Sequence, residues 1–441
     1  MDRPFFSASA GTRESLTAKR VIMAISQWIK FFFICHGAYF VVLGSAFGAE
    51  PMRLSLDQAI QTALERNLEL KAKREELGIA EGRVIKSDLF LQNNPELEGE
   101  RANKRLKKPE EGVNKNLFQA GVSLSQEFEI GGQSGYRREA AQRNLEKIGF
   151  EVRDFGRTLR FRIADLFLRL LNGKAKINQA EQIVNLKDRL YEASKARLAA
   201  GDIPEVQLAI AEFELNRARS ELISLQREYE EILSRLRTDL ALEKEESIEP
   251  VGDLTRAPLA ASLDELLKSA LEKRPDLAAS DQEKKITEAE ELLTRAERIP
   301  NIKFSMFYEK DDKDNIVGGR VSIPLPFFDR KQGELREALA RKNIANLNYL
   351  NRRQTLEKEI RAAFARFKLA ERDLALYPEG TMKRFDESLD LYQRAYQERA
   401  IDLADAILFQ NQVIEARLKF IDTLTVYNLS LAELKLQAGI E

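Results

Sequence analysis

The chain has 441 residues, a formal net charge of −1 and 32% charged residues. Such a length ordinarily divides into two or three compact domains, but sparse Gly and Pro among abundant Leu, Ala, Glu, Lys and Arg point instead to long helices or coiled coils. The near-neutral balance and the lack of a dense basic block exclude a field that recruits nucleic acid.

Residues 1–49 read as a signal peptide for export, with an extended start. Lys19, Arg20 and Lys30 precede the apolar run Phe31 to Phe47, and Glu50-Pro51 follows small residues. Cleavage fits after Gly48, with Ala46 in the small-residue position, or after Ala49. Translation from Met1 or from Met23 is open; the second gives a signal of ordinary length. A retained membrane anchor is the alternative, against which stand His36, Gly37, Gly44, Gly48 and the small-residue end. Cys35 follows Phe33-Ile34 rather than small residues, so no acylation is expected there. Cleavage would take away Cys35, His36 and Trp28, the chain's only Cys, His and Trp. A mature chain without thiol or imidazole excludes His-dependent triads, Cys/His zinc sites and redox dithiols. Carboxylate-only chemistry stays open, but an enzyme is the disfavoured reading.

After the signal, Leu56 to about Leu89 is predicted helical, with Ser55 as N-cap and Gln58 at capping-box spacing. Asn93-Asn94-Pro95 stops it. Pro95–Arg105 is a weak strand candidate, rich in Glu, Arg and Lys, and Lys107–Lys115 a polar loop. Phe118, Ala120, Val122 and Leu124 alternate with Gln119, Gly121, Ser123 and Ser125, the period of a strand with one apolar face. Beyond Gly131-Gly132 a helix is predicted from Ser134 to about Leu198. Ala199 to Pro204 break it, and a second runs from Glu205 to about Leu242. Glu243–Ala261, with Pro250, Gly252 and Pro258, reads as a linker.

The second half repeats this order. Ser262 opens a helical segment, Arg274-Pro275-Asp276-Leu277 follows, and an amphipathic helix stops at Ile299-Pro300. Strands are predicted over Ile302–Glu309 and Val317–Leu325, joined by a turn at Lys310–Asn315 and closed by Pro324 and Pro326. A long helix runs from about Arg330 to Tyr377, pauses at Pro378-Glu379-Gly380 and resumes to about Arg399. It turns near Ala400-Ile401-Asp402 and ends near Ala438. Helices of about 40 residues span roughly 60 Å and pack as coiled-coil hairpins.

Leu56 and Leu263 open equivalent segments 207 residues apart; Val122-Ser123-Leu124 recurs as Val321-Ser322-Ile323, 199 on; Asp202-Ile203 recurs as Asp402-Leu403, 200 on. Near-constant offsets indicate a two-fold internal repeat. The expected organisation is a signal over 1–49 and a first repeat over 50–245, with β-hairpin 95–128 and helical hairpin 134–242. A linker follows over 246–261, then a second repeat over 262–441, with β-hairpin 301–325 and helical hairpin 329–438. The strands have the length a tilted strand needs to cross a bilayer. Four cannot close a barrel, and lipid does not tolerate open edges. Either several copies complete a barrel, or the strands form an ordinary two-layer sheet in a soluble domain.

Three features together resemble the TolC-type outer-membrane efflux family, in its heavy-metal, CzcC-like branch. They are Arg274-Pro275-Asp276-Leu277 with its helix ending at Pro300, the duplicated helix–hairpin–helix order, and Gly131-Gly132 and Asp329-Arg330 after the second strands. The resemblance spans roughly residues 53–438. It implies a mainly α fold with a small β part: a long α-helical coiled-coil barrel in the periplasm and a trimer-completed, 12-stranded transmembrane β-barrel with four strands per chain. It further implies a homotrimer in outer-membrane lipid, docked on a periplasmic adaptor (membrane fusion protein) and an inner-membrane, proton-driven RND-type pump. The implied activity is passive, gated conduction of metal cations or other small solutes from periplasm to exterior, with no cofactor.

By the same resemblance, the closed end lies at the two helical turns. Glu205, Tyr396 and Asp405 match family gate or pore positions, and Asp402 is near enough to add charge. Carboxylate rings bias a pore towards cations, whereas Glu205 and Asp402 as plain helix caps are the simpler reading. Gly201, Asp202, Ile203, Arg399 and Ala400 form the implied tips that contact the adaptor. Arg399-Ala400 stands where the family's second turn has Gly, a departure expected to alter turn geometry or the tip contact. Met306 and Met382 are soft ligand types, but two isolated Met make no metal site. The competing function is a periplasmic coiled-coil adaptor or scaffold without a pore, which should lack alternating strands of membrane length.

Overall fold

A computed structural model describes residues 52–105, 116–243, 246, 248–256, 258–311 and 314–440; the expected signal at 1–49 and the expected loop at 107–115 lie outside them. Arg53–Glu243 and Ile248–Glu441 form one compact unit.

Each repeat starts with a short capped helix. Helix α1 (Leu56–Arg66) is capped by Ser55, whose Oγ accepts from Gln58 N while the Gln58 side chain accepts from Ser55 N. Helix α5 (Leu263–Lys273) repeats this capping box with Ser262 and Glu265. The single helix expected over Leu56–Leu89 is two. Asn67 leaves helical dihedrals (φ −53°, ψ 124°), ends α1, and caps α2 (Leu68–Ser87) by accepting from Leu70 N at 2.9 Å. A side chain that bonds the local backbone competes with helix continuation. Arg274 makes the matching break between α5 and α6 (Pro275–Ala296), where Pro275 fits the first helical turn, which needs no N–H.

The long helices follow: α3 (Gln133–Ala199), α4 (Glu205–Asp239), α7 (Gln332–Ala375), α8 (Thr381–Gln397) and α9 (Leu403–Ala438). At 67 residues, α3 is about 100 Å long. Its stripe Leu159, Ile163, Phe167 and Leu170 packs on Leu236 and Leu240 and on Ala59 and Ala63 of α1. In the second repeat Leu356, Ile360, Ala363 and Phe367 of α7 pack on Tyr427, Leu431 and Leu434 of α9 and on Leu266 and Ala270 of α5. The three- and four-residue spacing puts each set on one helix face. The duplication therefore appears as two cores of the same construction. The expected linker is not wholly irregular: β4 (Ile248–Pro250) buries Ile248, and Val251 N donates to Leu54 O of β1 (Met52–Leu54) at 2.9 Å.

Arg274 ties the second repeat together. Its guanidinium is buried, forks onto both Asp276 oxygens at 2.9 and 2.7 Å, and donates to Gln437 O and Oε1 on α9 at 3.1 and 2.8 Å. Arg352 on α7 also donates to Asp276. Burial alone would push the Asp276 carboxyl up, but the hydrogen bonds and charges of the two arginines outweigh it and hold it at about 2.

Strands β2 (Glu96–Arg105), β3 (Asn116–Phe128), β5 (Ile302–Asp311) and β6 (Asp314–Ser322) form one antiparallel sheet in the order β2-β3-β5-β6. The second hairpin is tighter than expected, since Asp311 pairs with Asp314. It also stops at Ser322 rather than Leu325, because Pro324 has no N–H for a ladder. Leu97, Leu124 and Met306 stand in register on one face, as do Val122, Tyr308 and Val317. That face is exposed in the single chain: Met306 is 72% and Val317 76% accessible. The opposite face carries Glu96, Glu98, Ser123, Ser125, Glu127, Lys303 and Arg320.

Candidate gate at the helical turns

The two turns are built alike. At the end of α3, Gly201 takes a left-handed conformation (φ 75°) while its N–H donates to Leu198 O and Asp202 N–H donates to Arg197 O, both at 2.9 Å. At the end of α8, Arg399 takes the same conformation (φ 63°), Arg399 N–H donates to Tyr396 O at 3.2 Å and Ala400 N–H to Ala395 O at 2.8 Å. Both are Schellman closures. The expectation that Arg399 changes the turn geometry is therefore corrected: the backbone keeps the glycine-type turn. The left-handed conformation costs a residue with a Cβ about 1 kcal/mol. Arg399 Nη2 in turn lies 2.6 Å from Asp202 Oδ2, linking the two turns.

Behind the turns, Tyr396 is buried with Leu190, Leu403 and Ala406. Its hydroxyl is 3.0 Å from Ser194 Oγ. Ser194 donates its own proton to Leu190 O at 2.8 Å, so Tyr396 is the donor to Ser194. Arg197 covers the tyrosine ring at 5.0 Å. This contact joins α8 of the second repeat to α3 of the first. Ile203 is also buried, so it underpins the first turn rather than facing outward.

The three acids divide. Asp402 is the N-cap of α9 and accepts from Asp405 N at 2.8 Å, which fits the capping reading. Asp405 and Glu205 lie exposed in the first turns of α9 and α4, where the helix dipole favours negative charge. The structure thus brings Asp202, Arg399, Tyr396 and Asp402 to neighbouring turns and leaves the Glu205 and Asp405 carboxylates outward.

Sequence reasoning missed Ser194 and a buried cross-helix set. Lys187 on α3 donates to Asn411 Oδ1 on α9 at 2.7 Å and lies 3.3 Å from Glu214 on α4. Burial pushes the Lys187 amine down against the pull of Glu214. Lys187, Leu190 and Ser194 share one helical stripe by their three- and four-residue spacing, a signal that marks Lys187 as inward-facing. Among the described residues no group of three or more His, Cys, Asp or Glu is placed to hold a metal. Met306 lies in the exposed sheet and Met382 at the start of α8, so they form no pair.

The outer membrane efflux protein family matches residues 59–241 and 266–439, one stretch in each repeat. The chain belongs to this family. Among curated proteins, the cobalt-zinc-cadmium resistance protein CzcC of Cupriavidus metallidurans is 24% identical over 375 residues, covering 84% of this chain and 86% of that one. The CusC structure, described in terms of folding and transmembrane channel formation, superposes with a TM-score of 0.71 at 18% identity, over 90% of this chain and 96% of that one. The open state of the Neisseria gonorrhoeae MtrE outer membrane channel gives 0.70 at 19% identity, over 87% and 89%. The protein is an outer-membrane efflux channel whose helical part stands in the periplasm. The family is one of channels rather than enzymes. No helix among the described residues is long and apolar enough to cross a membrane.

Proposed function

We propose that three copies of this chain close a 12-stranded barrel in the outer membrane and continue as a helical tube to a gate at the two turns. The observation that carries this reading is the sheet itself. It has one exposed apolar face and two open edges, a combination lipid accepts only after closure. The channel works passively with a periplasmic adaptor and an inner-membrane RND-type pump. It passes metal cations, as the name of the CzcC relative suggests, or other small solutes.

In this reading the Ser194–Tyr396 hydrogen bond and the Arg399–Asp202 ion pair hold the gate closed. Glu205 and Asp405 supply outward carboxylates that favour cations at the entrance, while Asp402 serves as a helix cap. Gly201, Asp202, Arg399 and Ala400 offer the tips to the adaptor, with Ile203 packed beneath them. The test is the cation-to-anion permeability ratio of reconstituted channels. It falls in Asp405→Ala and Glu205→Ala if these carboxylates line the entrance, and is unchanged if they only flank helix ends.

A further inference from the structure

The internal duplication supplies a template for the edges that the single chain leaves open. β2 and β6 are the outer strands of the sheet. Val122-Ser123-Leu124 of the first hairpin corresponds to Val321-Ser322-Ile323 of the second, 199 residues on. Ser123 faces Glu98 in the first hairpin, and Ser322 faces Lys303 in the second. Glu98 and Lys303 are 205 positions apart, the same separation as Pro95 and Pro300, which precede the first strand of each hairpin. Sequence and pairing thus agree on which residue of β2 corresponds to which of β5.

Within the chain, the junction between repeats is β3 against β5, with Val122 opposite Tyr308, Ser123 opposite Phe307 and Leu124 opposite Met306. We propose that β6 pairs with β2 of a second copy in the register this internal junction dictates. Val321 then lies opposite Asn103, Ser322 opposite Ala102 and Ile323 opposite Arg101 of the second copy. The proposal rests on the assembly proposed above and goes beyond it by fixing the residue pairs.

Two further observations fit this register. Val321 shares the exposed face with Phe304, and Leu97 shares it with Leu124; by the period of two, Ile323, Arg101 and Asn103 lie on that face too. The register keeps all of them on one side, whereas a one-residue slip would turn one strand's set inward. Below the strands, Gln133 accepts from Gly131 N–H and donates to Ile299 O and Asn301 Oδ1, both at 3.2 Å, across the internal junction. Gln332 makes the equivalent acceptance from Arg330 N–H at 2.7 Å, but its amide turns back to Phe328 O. Asn94 and Glu96 of the second copy stand where Ile299 and Asn301 stand in the template, and give that amide acceptors across the copy junction. The correspondence loosens at two points. Pro324 and Pro326 stand where Ser125 and Glu127 stand in β3 and bring no N–H, so the ladder of the copy junction is shorter towards its base. A Cβ at Gly131 would lie 2.6 Å from Ala296 O, and its counterpart Arg330 has a side chain, so the copy junction is wider there.

Residues directly opposite in an antiparallel pair have Cα atoms about 4.5–5.5 Å apart, within disulfide reach, whereas same-face neighbours one pair along are about 7–8 Å away. The test is disulfide cross-linking of the full chain in detergent, in a Cys35→Ser background, with native mass measured in parallel. Ser322→Cys with Ala102→Cys should shift the chain from the mass of one copy to that of three under non-reducing conditions. Ser322→Cys with Glu100→Cys should not, and neither should either single variant. A trimeric native mass with cross-linking through the Glu100 pair, or through neither, overturns the register while leaving the trimer standing. A monomeric native mass overturns both.

Discussion

Replacing Tyr396 with Phe removes one hydroxyl from a site where both partners are buried, Tyr396 at 1% and Ser194 at 0% exposure. The ring, its packing on Leu190 and Leu403 and its contact with Arg197 all remain. What goes is the 3.0 Å bond to Ser194. A neutral buried hydrogen bond of this kind contributes about 1 kcal/mol, about fivefold in the equilibrium between a closed and a parted α3–α8 contact. Three gates moving together lose about 3 kcal/mol, on the order of a hundredfold. Single-channel recording in a planar bilayer reads this directly: Tyr396→Phe should raise the open fraction by about five- to a hundredfold, with single-channel selectivity unchanged. The thermal midpoint of the detergent-solubilised protein serves as the control for packing. A variant whose midpoint falls while its open fraction stays at the parent level would refute the gate role and leave Tyr396 a core residue.

Asp276→Asn strips the buried Arg274 of its bidentate partner and should destabilise the fold by about 2–4 kcal/mol, since one charge of a buried pair is left behind; a lowered thermal midpoint checks it. The same carboxyl, held at about 2, contributes stability that is fully present above about pH 4 and is lost as pH falls towards 2. That loss, about 1–2 kcal/mol, should be absent from an acid titration of the Asn variant. Gly131→Ala should cost about 1–3 kcal/mol, because its Cβ would meet Ala296 O at 2.6 Å and Ile299 Cβ at 3.0 Å. An unchanged midpoint would show that the base of the hairpin can shift. Arg399→Gly relieves about 1 kcal/mol of backbone strain and loses an ion pair worth about 0.5 kcal/mol at a partly exposed site. Its midpoint should stay close to the parent's, and a fall of several degrees would show that the Asp202 link holds more than a surface pair.

The order of elements was legible because the signals are local. Alternation of Phe118, Val122 and Leu124 needs no partner to be read as a strand, and Ser55 with Gln58 announces a helix start three residues ahead. The break at Asn67 was not legible, because Leu68 to Leu70 continue the helical pattern and only the side-chain bond to Leu70 N stops it. At the turns, Gly201 was readable as a left-handed closure, whereas Arg399 was not, since a residue with a Cβ rarely takes that conformation. The Ser194 and Lys187 contacts join residues some 200 positions apart, and a helix stripe shows which way such side chains point but not what they meet.

The measurement that tests the central claim most directly is conductance of the detergent-extracted protein in a planar bilayer, with its native mass checked beforehand. The expected result is a trimeric mass and discrete, cation-preferring channels that are mostly closed in the parent protein. A well-folded protein that enters the bilayer as a trimer and never conducts, or that stays in the aqueous fraction as a single chain, would contradict it.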